Sequence, residues 1–203
     1  MKRHVTLAAL FIVMVAFLCS CVGPQRNIQL QAELPDTAML DKSPLKVALY
    51  IPDSTRHYTQ ATEIKSRCGF HDRGWAPARY GEVFAETVQG TLSQVFQKVT
   101  PIGRPVEGGH DLIIQAELNE LGYKPGCRPD PATYFILKGT FRAVDTNGVE
   151  IWRSPLTSKK VEASIGERYK LDTIIPGAIA SMVGTWTQQL LAAPEIKKRS
   201  GSR

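Results

Sequence analysis

The sequence contains no glycine-rich phosphate loop and no G-x-S-x-G elbow. Two of the more readable signs of nucleotide handling and serine hydrolysis are therefore missing. Histidine and cysteine are scarce, with four of each among 203 residues. Beyond His4, only His57, His71 and His110 remain. Cys68 and His71 stand close enough to supply two metal ligands, but a protein metal site needs three or four, and no second pair has matching spacing. No apolar run reaches the roughly twenty residues that a spanning helix requires. Charge of one sign is also limited. The formal net charge is +6, of which Lys2 and Arg3 contribute two, leaving +4 for the remainder. That balance does not signal nucleic-acid binding, although it permits contact with the phosphates of lipids or lipopolysaccharide.

What the sequence does have begins at its N-terminus. Lys2 and Arg3 precede "VTLAALFIVMVAFL", residues 5–18. A basic start followed by a short apolar run fits a secretory signal. The next residues are Leu18-Cys19-Ser20-Cys21. "LCSC" resembles the lipobox of bacterial lipoproteins, with cleavage expected between Ser20 and Cys21. That resemblance implies lipid attachment at Cys21, which becomes the first residue of the mature chain. Two or three acyl chains make a durable anchor where one does not. An uncleaved short anchor, or an ordinary signal cut nearby, is the alternative. Val22 follows in place of the aspartate associated with inner-membrane retention, so the resemblance favours the outer membrane.

Removing residues 1–20 leaves 183, enough for one compact domain with a core. Cys19 departs with the signal and Cys21 takes lipid, so Cys68 and Cys127 remain. A compartment that permits disulfides makes a Cys68–Cys127 bridge the expectation, with two buried thiols as the alternative. Closing a loop of about sixty residues is worth about 4 kcal/mol in the chain-entropy model.

Residues 21–44 are polar and proline-containing and read as a lipidated N-terminus and flexible tether. Residues 45–193 read as a single domain. "LKVALYI" (45–51) is a short apolar strand closed by Pro52. From Tyr80 to Val99, Val83, Phe84, Val88, Leu92, Val95, Phe96 and Val99 recur at three- and four-residue spacing, which predicts one amphipathic helix ended by Thr100-Pro101. "DLIIQAEL" (111–118) and "TYFILKGTFRAVD" (133–145) read as strands. Asn147-Gly148 before "VEIWRS" predicts a hairpin, and "SKKVEASI" extends the sheet. Leu171 to Ala193 carries a second apolar stripe and predicts a helix stopped near Pro194. Residues 194–203 read as a basic mobile tail. The fold class is therefore α/β: a two-layer sandwich, with a mixed or antiparallel sheet of about four to five strands covered by two amphipathic helices.

Little in this domain points to catalysis. His71-Asp72 and His110-Asp111 superficially resemble the His-Asp pairs of metal phosphohydrolases, but the further ligands are not evident. The pairs Glu117 with Glu120, and Glu162 with Glu167, read as solvated carboxylates, and Tyr134, Phe135, Phe141 and Trp152 as core. Lys159-Lys160 and Lys197-Lys198-Arg199 are basic enough to touch anionic lipid, though solvation alone accounts for them. Gly177, Ser181 and Gly184 form a small-residue stripe on the last helix. Such a stripe admits a close backbone, either from within the domain or from a partner, and a groove between two helices also suits an acyl chain.

"HDRGWAPARYGEVFAETVQGTLSQVF" (71–96) resembles a segment of the ABC-type transport auxiliary lipoproteins of the PqiC type, with Trp75-Ala76-Pro77 leading into a long helix. "DLIIQAELNEL", then "FRAVDTNGVEIWRS" and the final apolar helix, follow that family's order. The lipoproteins CsgG, LpoB and LptE share a similar plan. These resemblances imply a non-catalytic accessory of an envelope transport or assembly complex, without cofactor or metal. Its expected partners are the membrane through the N-terminal lipid, proteins of that complex, and a lipid or glycan ligand. A cell-wall synthase activator, a secretion-channel scaffold and a hydrolase using His71 or His110 are the competing readings.

Overall fold

The computed structural model describes residues 30–37, 42–58, 79–105, 108–124, 133–157, 161–163 and 171–201. Six strands are seen: β1 Ser43–Tyr50, β2 Phe96–Ile102, β3 Leu112–Lys124, β4 Thr133–Val144, β5 Glu150–Thr157 and β6 Val161–Ala163. Four helices accompany them: α1 Asp53–Arg56, α2 Tyr80–Val95, α3 Leu171–Ala192 and α4 Pro194–Gly201. The strands form one mixed sheet in the order β2-β1-β3-β4-β5, with β6 also pairing β4. β1 is parallel to both β2 and β3, and the remaining pairings are antiparallel. The predicted α/β class holds, and the sheet is not closed into a barrel.

Alternation builds the core. Leu45, Val47 and Leu49 of β1 face the same side as Leu112, Ile114, Ala116 and Leu118 of β3 and Leu137, Phe141 and Ala143 of β4. The apolar stripes of α2 (Val83, Phe84, Val88, Leu92, Val95) and α3 (Ile175, Ile179, Met182, Val183, Trp186, Leu190) complete this cluster. Burying each such aliphatic or Phe side chain contributes about 1.5–3 kcal/mol. Buried helix hydroxyls turn inward on their own backbone: Thr91 Oγ1 donates to the Thr87 carbonyl and Thr187 Oγ1 to that of Val183.

Trp186 is the centre of the packing. It stacks on Phe141 with ring centroids 4.1 Å apart and meets Phe84 edge-on at 6.2 Å. Space for its ring comes from Gly139, where an added Cβ would lie 2.6 Å from Trp186 Cη2 and 2.8 Å from the Glu117 carbonyl oxygen.

β3 runs beyond its parallel partner, since β1 pairs only with residues Leu112 to Gln115. Backbone donors on that bare stretch still need acceptors. The chain after β1 supplies them: Leu118 N–H donates to Thr55 Oγ1 and Leu121 N–H to the Tyr58 hydroxyl, both at 3.2 Å. α1 can lie against the first turn of α2 only because Gly81 is there. A Cβ at that position would meet the Thr55 carbonyl oxygen at 1.9 Å.

The Asn147-Gly148 hairpin is present, with Gly148 at φ +80°. Asp145 organises it, its Oδ1 accepting from the N–H groups of Asn147 and Val149 at 2.9 Å each.

Two boundaries differ from the sequence expectation. The helix predicted to reach Val99 ends at Val95, and the chain passes at Phe96, at φ −116° and ψ 150°, directly into β2. The apolar residues Phe96 and Val99 keep the three-residue spacing of the helix while serving a strand. β2 is an edge of the sheet, which is where Pro101, lacking an N–H donor, is tolerated. The basic mobile tail expected over 194–203 is instead helix α4 over Pro194–Gly201. Pro194 suits a first helical position. Ile196 is 1 % exposed in the core, and Arg199 pairs with Asp145 Oδ2 at 3.4 Å. Ser200 Oγ lies 3.0 Å from Ser43 Oγ, so α4 closes the end of the sheet at which β1 starts.

Candidate functional site

The feature least explained by core formation is the groove between α2 and α3. It is occupied by the chain's own residues 30–37. Leu30 and Ala32 are half-buried against the core cluster, with Gln31 exposed between them and Glu33 exposed after Ala32. Leu34 lies over Gly90 of α2, where an added Cβ would approach its Cδ2 to 2.6 Å. Pro35 lies over Gly184 of α3, with the corresponding Cβ distance 2.9 Å. Glu33 Oε2 sits beside Gly177, 3.4 Å from a Cβ placed there, and Thr37 Oγ1 donates to Gln94 Oε1.

This placement revises two expectations. The flexible tether of 21–44 is shortened at its C-terminal end: residues 30–37 pack as a strap on the helices, and β1 begins at Ser43. Its proline and polar content hid the half-apolar alternation Leu30, Ala32, Leu34. In the Gly177, Ser181, Gly184 stripe, both glycines receive the strap, which is the intrachain use of small residues. Ser181 stays exposed, and its carbonyl accepts from Thr185 Oγ1 at 2.9 Å. Gly90, on the facing helix, completes the seat and was not singled out from sequence. A second small residue opposite the first stripe was the available signal.

The described chemistry-bearing residues are dispersed. His57 Nδ1 lies 3.0 Å from the Asp53 carbonyl oxygen on α1. His110 precedes β3, away from α1 in the chain. Glu117 and Glu120 are each paired across the strand, with Arg142 at 3.2 Å and Lys138 at 2.6 Å. Among the described residues, no group of three His, Cys, Asp or Glu side chains is placed to hold a metal ion. No described helix is long and apolar enough to cross a membrane. Ser20, Cys21, Cys68, His71, Cys127 and Lys159-Lys160 lie outside the described residues, as does the Trp75-Ala76-Pro77 stretch.

The carboxyl of Asp145 is shifted by its surroundings. The Val149 N–H holds it below the ordinary carboxylate value. Burial opposes this, while the Asn147 N–H and the Arg199 guanidinium add to the lowering. The group is structural, joining the β4–β5 hairpin to α4.

No protein-family model and no curated protein matches the sequence. Among solved structures, the chain is similar to a protein from Xanthomonas campestris assigned to the DUF330 family, with TM-score 0.56 and 7 % identity, over 87 % of this chain and 99 % of that one. Weaker likenesses include a minor lipoprotein from Acinetobacter baumannii (TM-score 0.43, 13 % identity, 74 % of this chain and 93 % of that one). Another is an uncharacterized lipoprotein B from Nitrosomonas europaea (TM-score 0.40, 8 % identity, 71 % of this chain and 81 % of that one). At these identities the Xanthomonas match establishes a shared fold and nothing more specific.

Proposed function

We propose that this protein is a bacterial envelope lipoprotein, anchored through Cys21, whose α/β domain serves without catalysis as an accessory of an envelope transport or assembly complex handling lipid or polysaccharide. The observation that carries the reading is Leu18-Cys19-Ser20-Cys21 directly after a basic start and a short apolar run. The PqiC-type resemblance supplies the accessory role, and Val22 after the lipidated cysteine favours the outer membrane with the domain in the periplasm.

Both edges of the five-strand path bear on how partners dock. β2 carries Pro101 and β5 carries Pro155. A proline on an edge discourages strand addition. Helix and loop surfaces are therefore the better candidates for protein contacts. The test is Cys21→Ser expressed in a bacterium with a lipoprotein pathway. The expected result is a protein released from the membrane fraction or stalled before processing. Normal maturation with continued membrane attachment would overturn the reading. Crosslinking from intact membranes then identifies the partner: a transport component supports the accessory role, and a cell-wall synthase replaces it.

A further inference from the structure

We infer that the strap fixes which end of the domain faces the bilayer, directing the N-terminal ends of α2 and α3 toward the membrane and the α4 end away from it. The inference rests on the Cys21 anchor proposed above and deepens it, because it concerns the geometry of that anchor.

The direction of the strap follows from its neighbours. Along α3, Glu33 lies by Gly177 and Pro35 by Gly184. Along α2, Leu34 lies by Gly90 and Thr37 bonds Gln94. Sequence position rises with both helices, so the strap runs in the same direction as each. The Leu30 end of the strap therefore lies toward the helix N-termini. The C-terminal end of α2 passes straight into β2, and Phe96 there pairs with Ser43 at the start of β1. Residues 30–37 thus follow the helix layer toward the end at which β1 starts. α2, at sixteen residues, makes that layer about 24 Å long.

The consequence is a short leash at a defined end. A freely hanging segment from Cys21 to the first strand could extend roughly 75–80 Å at full stretch. With residues 30–37 seated, only the nine steps from Cys21 to Leu30 remain, about 30 Å at most. That is comparable to the length of the helix layer itself. A lipid surface is accordingly the partner that the α2 and α3 N-terminal end meets, and α4 with Lys197 and Arg199 faces the periplasm.

Two measurements on the full chain separate this inference from the anchor on which it rests. Hydrogen exchange on the unlipidated Cys21→Ser protein reads the strap alone. Amides of 30–37 should exchange on the order of tenfold more slowly than in a Leu34→Asp/Pro35→Asp variant, in which both seats are lost but no helix residue changes. Equal exchange in the two proteins would overturn the strap. Orientation is read on the lipidated protein in phosphatidylethanolamine–phosphatidylglycerol vesicles, with a fluorescent non-natural residue at Arg79 or at Lys197 and an acceptor in the lipid. Energy transfer should be several-fold stronger from position 79, and the strap variant should bring the two positions closer together. Equal transfer in the unaltered strap, or stronger transfer from 197, would overturn the orientation while leaving the anchor standing. Failure to stay on the vesicles would overturn both.

Discussion

One face of the sheet presents Leu45, Val47 and Leu49 of β1 beside Leu112 and Ile114 of β3 and lies under α2 and α3. The other presents Lys46, Ala48 and Tyr50 from the same strand, beside Glu117, Arg142, Glu120 and Lys138. Its buried apolar cluster is small (Ala48, Ile102, Ile113 and Val144), and all four are strand residues. The difference shows where stability is concentrated. Apolar area and ring packing hold the covered face, whereas the other is held largely by cross-strand pairs in contact with water, which are individually weak.

Substitutions should sharpen that contrast, and they rank by how much packing they remove. Trp186→Ala deletes the side chain stacked on Phe141 and should cost about 3–5 kcal/mol, read by chemical denaturation. Among the described residues the indole Nε1 has no hydrogen-bond partner, so the expected loss is one of packing. Gly139→Val forces a side chain against both Trp186 and the Glu117 carbonyl. It should cost about 1–3 kcal/mol, visible as a lowered Tm. Asp145→Asn probes the corner where the hairpin meets α4. Because the folded-state carboxyl is held below its unfolded value, its contribution is fully present above the ordinary carboxylate pKa and is lost as pH falls through the lower folded one. The stability gap between the two proteins should therefore be steady near neutrality and close on acidification, as followed by urea midpoints across pH. Arg142→Met on the open face should change stability least, by about 0–1 kcal/mol, since Arg142 and Glu117 are about one-third exposed. A loss there as large as that at Trp186 would break the comparison.

The same contrast explains what could be read from the chain. β1, β3, β4, the Asn147-Gly148 hairpin and α3 are legible because their apolar residues repeat at the period of the element they form. β2 is not, because Val95, Phe96 and Val99 continue the helical spacing of α2 across a boundary with no intervening loop. α4 is masked by composition, since among its basic residues Ile196 alone marks the buried side. The strap is the hardest case. Leu30, Ala32, Leu34 and Pro35 are too few and too interrupted to suggest packing, and their seats, Gly90 and Gly184, lie on two helices far apart in sequence. Weak apolar patterns acquire meaning only when the fold brings their receptors together. The anchor proposed at Cys21, by contrast, rests entirely on its local sequence and not on the fold.

The central claim is accordingly the anchor, and intact mass spectrometry of the protein purified from bacterial membranes tests it most directly. The account predicts a mature chain that begins at Cys21 and carries the added mass of a diacylglyceryl group, with or without an N-acyl chain. A chain with an unmodified Cys21, or one whose N-terminus lies elsewhere, would contradict it.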